Sequence, residues 1–179
     1  MPRFAAFLRA VNVSGRRLTN ARLAACFEGA GLEEVATFRA SGNVVFSAEE
    51  SDAAKLTPRI ERGLERELGY EVPAYLRTRA QVRAIAAHEP FEAKLLVASK
   101  GKLQVALLGR KPTASTRRKA LSLASEEDRL SIRGSELYWL PPGGLMESEL
   151  DQDALAQILG PVTVRTKGTV EQLAAKYFS

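Results

Sequence analysis

Pro73-Ala74-Tyr75-Leu76-Arg77-Thr78-Arg79 aligns without a gap on Pro161-Val162-Thr163-Val164-Arg165-Thr166-Lys167. The match runs on from Val82-Arg83-Ala84-Ile85-Ala86-Ala87 to Val170-Glu171-Gln172-Leu173-Ala174-Ala175. In each passage a proline opens a strand-like run. Proline cannot donate to a ladder, so both strands are expected at sheet edges. A helix follows in each. Thr78 and Gln81 have the spacing of a capping box, and Val82, Ile85 and Ala86 recur at helical intervals. Two such passages in one chain predict an internal duplication.

The residues upstream repeat in order as well. Phe4 to Leu8 is an apolar run read as a buried strand. A polar loop, Asn12 to Arg17, leads to Thr19, which can cap a helix with Leu23, Cys26, Phe27 and Ala30 on one face and Gly31 at its close. Val35 to Phe38 and Val44 to Phe46 form a hairpin around Ser41-Gly42-Asn43. Leu56, Ile60, Leu64 and Leu68 mark a helix that starts near Ser51, or at Thr57 with Pro58 in its first turn. In the second half the same order is a strand from Leu103, a helix from Ser115, and a hairpin around Gly134. A helix through Leu155 and Ile158 follows, opened by Ser148 with Asp151 as a capping box, and then the strand at Val162.

Order β-α-β-β-α-β, twice, predicts an α+β protein made of tandem ferredoxin-like units, each followed by an extra helix. The units are expected at 1–92 and 93–179, with Pro90-Phe91 and Ala98 to Gly101 at the junction. Right-handed crossovers make the first two strands of each unit parallel. The loop after strand one and the hairpin turn then lie at one sheet end. In the first unit that end gathers Arg9, Asn12, Ser14, Gly15, Arg39, Ser41, Gly42 and Asn43. In the second, the opposite edge gathers Pro142, Gly143, Gly144, Ser148, Arg165 and Thr166.

These two clusters carry a resemblance. Leu8-Arg9-Ala10-Val11-Asn12-Val13-Ser14-Gly15 and Ser41-Gly42-Asn43-Val44-Val45-Phe46 are similar to the opening motifs of a bacterial family known as domain of unknown function 1697. Gly69 to Pro73, Arg77-Thr78, Pro90-Phe91 and the region from Ser148 to Thr169 resemble it too. The resemblance implies the tandem ferredoxin-like architecture and supplies no activity. The chain departs from the family where glycine is usual at Ala10 and Ser14. It departs again where the family's Arg-Asn-Trp-Asn-Thr run is Arg165-Thr166-Lys167-Gly168-Thr169. Arg165 and Thr169 match that run and join Ser148 as candidate ligand-binding residues; the aromatic is replaced by Lys167.

Charge points the same way as the clusters. Among 179 residues, 26 are basic and 21 acidic, a net +5, with a sequence pI near 9.6. That balance admits a nucleic-acid or phosphate-bearing partner. One cysteine makes no internal disulfide and fits a reducing compartment, so a cytoplasmic protein is expected. No apolar run approaches a membrane span, and Met1-Pro2-Arg3-Phe4 runs into a strand without a cleavage pattern, so neither membrane nor signal peptide is expected.

The remaining reactive groups read as structural. Cys26 falls on an apolar helix face, and His88 at a helix end, where a cation suits the dipole. Glu147, Glu149, Asp151 and Asp153 crowd a helix start, where acids are favoured. One histidine and one cysteine make a zinc site improbable on ligand count, and no metal or cofactor is expected. The exposed aromatics of an RNA-stacking sheet are not evident, Phe46 alone being too few. The function expected is binding of an anionic, phosphate-bearing small molecule or nucleic acid in a cleft between the units. Arg9, Asn12, Asn43, Ser148 and Arg165 would line it. The alternatives are an enzyme using Arg9, Arg39 and Arg165 on a phosphorylated or carboxylated substrate, with Glu147 or Glu149 as base, and a protein-binding scaffold.

Overall fold

The computed structural model describes residues 1–12, 15–40 and 42–179, so the expectations placed on Ser14 and Ser41 lie outside the described residues. Among these it contains two four-stranded antiparallel sheets and seven α-helices. The first half runs β1 (Arg3–Leu8), α1 (Asn20–Gly29), β2 (Glu33–Thr37), β3 (Asn43–Ser47), α2 (Ala53–Leu68), β4 (Ala74–Thr78) and α3 (Arg79–Ala87). After α4 (Ala93–Ala98) come β5 (Gln104–Leu108), α5 (Ala114–Leu121), β6 (Arg129–Arg133), β7 (Glu136–Leu140), α6 (Gln152–Leu159), β8 (Val162–Thr166) and α7 (Lys167–Tyr177). No described helix is long and apolar enough to cross a membrane.

The chain divides into two compact units. Unit 1 is Met1–Arg83 with Leu173–Ser179, and unit 2 is Ala84–Gln172. The division therefore falls inside α3 and α7.

Unit 1 has strand order β2-β3-β1-β4. Alternation along β1 sends Phe4, Ala6 and Leu8 to one face, where they pack with Phe46 of β3, Leu23 and Phe27 of α1, and Leu56, Ile60 and Leu64 of α2. Burial of each phenylalanine contributes about 1.5–3 kcal/mol. Ala5, Phe7 and Val45 alternate onto the other face and are fully buried as well. The tail of the chain belongs here: Tyr177 meets the Phe38 ring edge-on at 6.2 Å, and Arg79 Nη2 donates to the Ser179 carbonyl at 3.0 Å.

Unit 2 has the same order, β6-β7-β5-β8. Its core joins Ala106, Leu108, Leu137 and Trp139 to Ala120 of α5 and Leu155 of α6. One position shows how closely the sheets correspond. Arg77 stands opposite Ala5, and Arg165 opposite Val105. Each guanidinium donates through Nη1 to the carbonyl of its own preceding residue, at 2.9 Å in both cases.

Several local expectations are met and others corrected. Thr78 and Gln81 form the reciprocal capping box, Thr78 N donating to Gln81 Oε1 at 2.9 Å and Gln81 N to Thr78 Oγ1 at 3.3 Å. Thr19 caps α1 by accepting from Arg22 N. Pro73 precedes an edge strand, though the strand starts one residue later.

Of the two starts expected for α2, the one near Ser51 holds, and Pro58 is not at the helix start. Asp52 caps α2 and Pro58 lies inside it, while the Thr57 hydroxyl donates to the Ala53 carbonyl at 2.8 Å. Nor does Ser148 with Asp151 form a capping box. Asp151 is itself the cap of α6, accepting from Ala154 N, because the Ser148 hydroxyl is drawn to Asp128. Residues 90–101, expected at the junction, lie within unit 2. They include α4, and Ser99 Oγ donates to the Pro141 carbonyl at 2.7 Å.

Candidate functional site

Antiparallel pairing of β3 with both β1 and β2 makes those two strands parallel. The end of β1 therefore meets the β2–β3 turn, and Leu8 N donates to the Gly42 carbonyl at 2.8 Å. Glycine is required at position 42. Its φ is +73°, and an added Cβ would sit 3.0 Å from Val11 and 3.2 Å from Leu8. Asn43 is fully buried and donates to the Phe38 carbonyl at 3.0 Å, so it braces the turn.

Beyond that brace the loop from β1 to α1 is built on side-chain amides. Asn12 accepts from Leu18 N at 2.9 Å and reaches the Ala40 carbonyl at 3.4 Å, while Asn20 donates to the Arg39 carbonyl at 3.2 Å. Ala10 and Arg39 both have left-handed φ, 58° and 59°. That explains the glycine usual at position 10 in the family it resembles: an L-residue held there costs about 1–2 kcal/mol.

The result is an open groove of about 510 Å³ lined by Asn12, Gly15, Arg16, Arg17, Leu18, Thr19, Asn20 and Ala40. Arg16 is held over the Tyr70 ring at 4.1 Å. The N-terminus of α1 opens into the groove through Thr19 and Asn20, and no acidic residue stands in its first turn. A helix start with free amides and two guanidiniums favours an anion. Arg22 and Arg59 do not contribute, since they donate to the Glu67 and Ala30 carbonyls and tie the helices. A second hollow, about 240 Å³ beside α2, is lined by Glu61, Glu65 and Glu71 together with Arg62, the wrong balance for an anion.

The structure thus places Asn12 and Gly15 on the groove, with the Arg39 backbone at its side and Gly42 and Asn43 as its support. Arg9 leaves on the β4 side: its N donates to the Pro73 carbonyl at 3.0 Å. Burial raises the Tyr75 phenol above its usual range, Glu61 adds to that, and the Arg9 and Arg77 charges offset part of it. Arg16 and Arg17 were legible only as members of a polar loop ahead of a cap, and Asn20, the first residue of α1, was not singled out.

In unit 2 the candidate residues are tied internally. Ser148 Oγ donates to Asp128 Oδ1 at 2.6 Å, and Trp139 Nε1 donates to the same atom at 2.8 Å. Thr169 shares a 2.8 Å hydroxyl bond with Thr166 at the start of α7. Arg165 donates to Thr163 Oγ1 at 2.8 Å, and burial pushes its pKa down to about 10, which leaves it charged at neutral pH. Lys167, at the position of the family's tryptophan, is buried. Its ammonium donates to the Ala86 carbonyl at 3.0 Å and pairs with Glu171 at 2.6 Å. That position is therefore interior in this chain, with no ring or cation offered for stacking.

Cys26 is buried and its thiol is pushed up chiefly by desolvation, then by Glu67, which makes it a poor nucleophile. His88 corrects the expectation of a cation at a helix end. Burial lowers its pKa, as do Arg133 and Lys167, and its Nδ1 lies 2.9 Å from Arg133 Nη1, where only a neutral ring accepts. Its ring also packs edge-on against Tyr138 at 4.8 Å. The unfolded ring takes a proton near 6.5, so the stability owed to neutral His88 is complete above that pH. It is lost as pH falls from there through the lower folded value. Between pH 7.5 and 5 the melting temperature should therefore fall more for the parent chain than for His88→Gln. Equal falls would remove His88 from the pH dependence.

Comparison with known proteins adds kinship and no activity. The model of the family described as "Protein of unknown function (DUF1697)" matches residues 1–138. Among solved structures, the conserved bacterial protein SP0830 from Streptococcus pneumoniae aligns with a TM-score of 0.72, covering 97% of each chain at 18% identity, which speaks for a shared fold alone. No curated protein matches. With the family model covering most of its length, the chain belongs to the DUF1697 family of proteins of unknown function.

Proposed function

We propose that the chain binds a phosphate-bearing anion, and that the β1–α1 groove of unit 1 receives the phosphate. One observation carries this reading. Arg16, Arg17, two asparagines and the start of α1 line the groove, and no carboxylate is among the lining residues. The braces at Gly42 and Asn43 support it further, because a preorganised loop loses less entropy on binding. The same reading takes the chain as a tandem duplication of ferredoxin-like units in the cytoplasm. Its supports are the matching strand orders, the paired arginines at 77 and 165, and the single buried cysteine.

Calorimetry with inorganic phosphate and with a nucleoside 5′-monophosphate tests the site. A hydrogen bond to a charged group contributes about 1.5–3 kcal/mol, so Arg16→Ala with Arg17→Ala should weaken binding at least tenfold. Unchanged affinity in that double variant would remove the groove from the proposal. Failure of both probes to bind at millimolar concentration would end the anion reading itself.

A further inference from the structure

Five cations stand within ten residues of unit 2: Arg110 and Lys111 after β5, and Arg117, Arg118 and Lys119 on α5. All five are exposed, and among the described residues none of them enters an ion pair. Residues 110–119 hold these five cations and no acidic residue, so the segment concentrates positive charge without internal neutralisation. The helix dipole gives Arg118 and Lys119 a local reason to stand in the last turn of α5. It gives none for Arg117 or the loop pair. The nearest acids by position do not neutralise the cluster. Asp151 caps α6, while Asp153 on α6 and the exposed Glu126 and Glu127 beyond α5 make no ion pair with it among the described residues.

We propose that this surface docks the sugar–phosphate backbone of double-stranded nucleic acid without sequence selection. The chemistry of α5 favours that partner over two others. A helix that binds membranes carries apolar side chains on its exposed face, but Ala120 is buried in the core and Leu121 packs against it. The exposed large hydrophobics, Met1, Val97, Leu145 and Met146, all lie off this helix. Single-strand binding relies on aromatic platforms, and Arg110 to Leu121 contains no aromatic residue. What remains is a dense, polar cation array, which suits phosphates and reads no bases. This surface is independent of the unit 1 groove.

Fluorescence anisotropy with a labelled 20-base-pair duplex and the full chain tests it. Affinity should fall with salt along a log–log slope of at most about −4.5, since each of five phosphates contributes about 0.9. Arg117→Glu, Arg118→Glu and Lys119→Glu together should weaken binding at least tenfold. Arg110→Glu with Lys111→Glu repeats the test without touching the helix. Lys55→Glu, Arg66→Glu and Lys94→Glu together make the same charge change at exposed sites elsewhere and should leave affinity within threefold. No duplex binding at 50 mM salt overturns the proposal. So does an equal loss in the control variant, or binding to phosphatidylserine vesicles that the duplex fails to compete away.

Discussion

Replacing Phe46 by alanine is expected to destabilise unit 1 by about 3–5 kcal/mol, the usual range for a buried aromatic. Phe46 has no exposed surface, and its ring lies 5.6 Å from that of Phe4 and 5.5 Å from that of Phe27. It therefore joins β1, β3 and α1 at one point, and truncation leaves a cavity that three elements must close together. Urea unfolding followed by circular dichroism should show the midpoint falling by more than about 1 M, given slopes of roughly 1–3 kcal/mol per molar. A loss below about 1 kcal/mol would mean that the ring is not packed as described. On sequence Phe46 is too little by itself for an RNA-stacking platform, and its burial makes it a core residue.

Asp128→Ala should be nearly as damaging, at about 3 kcal/mol, because it strands one buried and one half-buried donor and each unsatisfied group costs about 1–3 kcal/mol. Those donors are the Trp139 indole and the Ser148 hydroxyl, both directed at Oδ1 of a carboxyl group that is 2% exposed. Asp128→Asn retains a carbonyl acceptor and should lose clearly less. Tryptophan fluorescence reports the site directly, since Trp139 is the only tryptophan in the chain. If Ala and Asn cost the same, the Oδ1 pairing is not what holds this corner of unit 2.

Much of the fold was legible because its signals are local. The Thr78–Gln81 box needs only four residues to form, and the four-residue rhythm from Leu56 to Leu68 identifies α2 wherever its start falls. What escaped depends on partners distant in sequence. Ser148 looks like a helix cap until Asp128, twenty residues earlier, takes its hydroxyl. Asp128 itself sits in Ser125-Glu126-Glu127-Asp128, which reads as a solvated acidic tract.

Arg165 was expected to line a ligand cleft and Arg77 to be its counterpart in the repeat, yet Arg77 is buried and Arg165 half-buried, each tied within its own strand. The site was legible to the same degree. Topology located the right sheet end and loop, but it could not separate Gly42 and Asn43, which brace, from Arg16 and Arg17, which line. The cationic segment at α5 was hidden by reading charge over the whole chain.

The return of Leu173–Ser179 to unit 1 bears on how the protein is made. A ribosome delivers β1 through β4 first, yet Tyr177 and Phe178, which complete their unit, come only after all of unit 2 has been translated. At about 5–20 residues per second that delay is on the order of ten seconds. Throughout it, the nascent first unit lacks its last seven residues and the Tyr177–Phe38 ring contact, a natural window for chaperones to engage the emerging polypeptide.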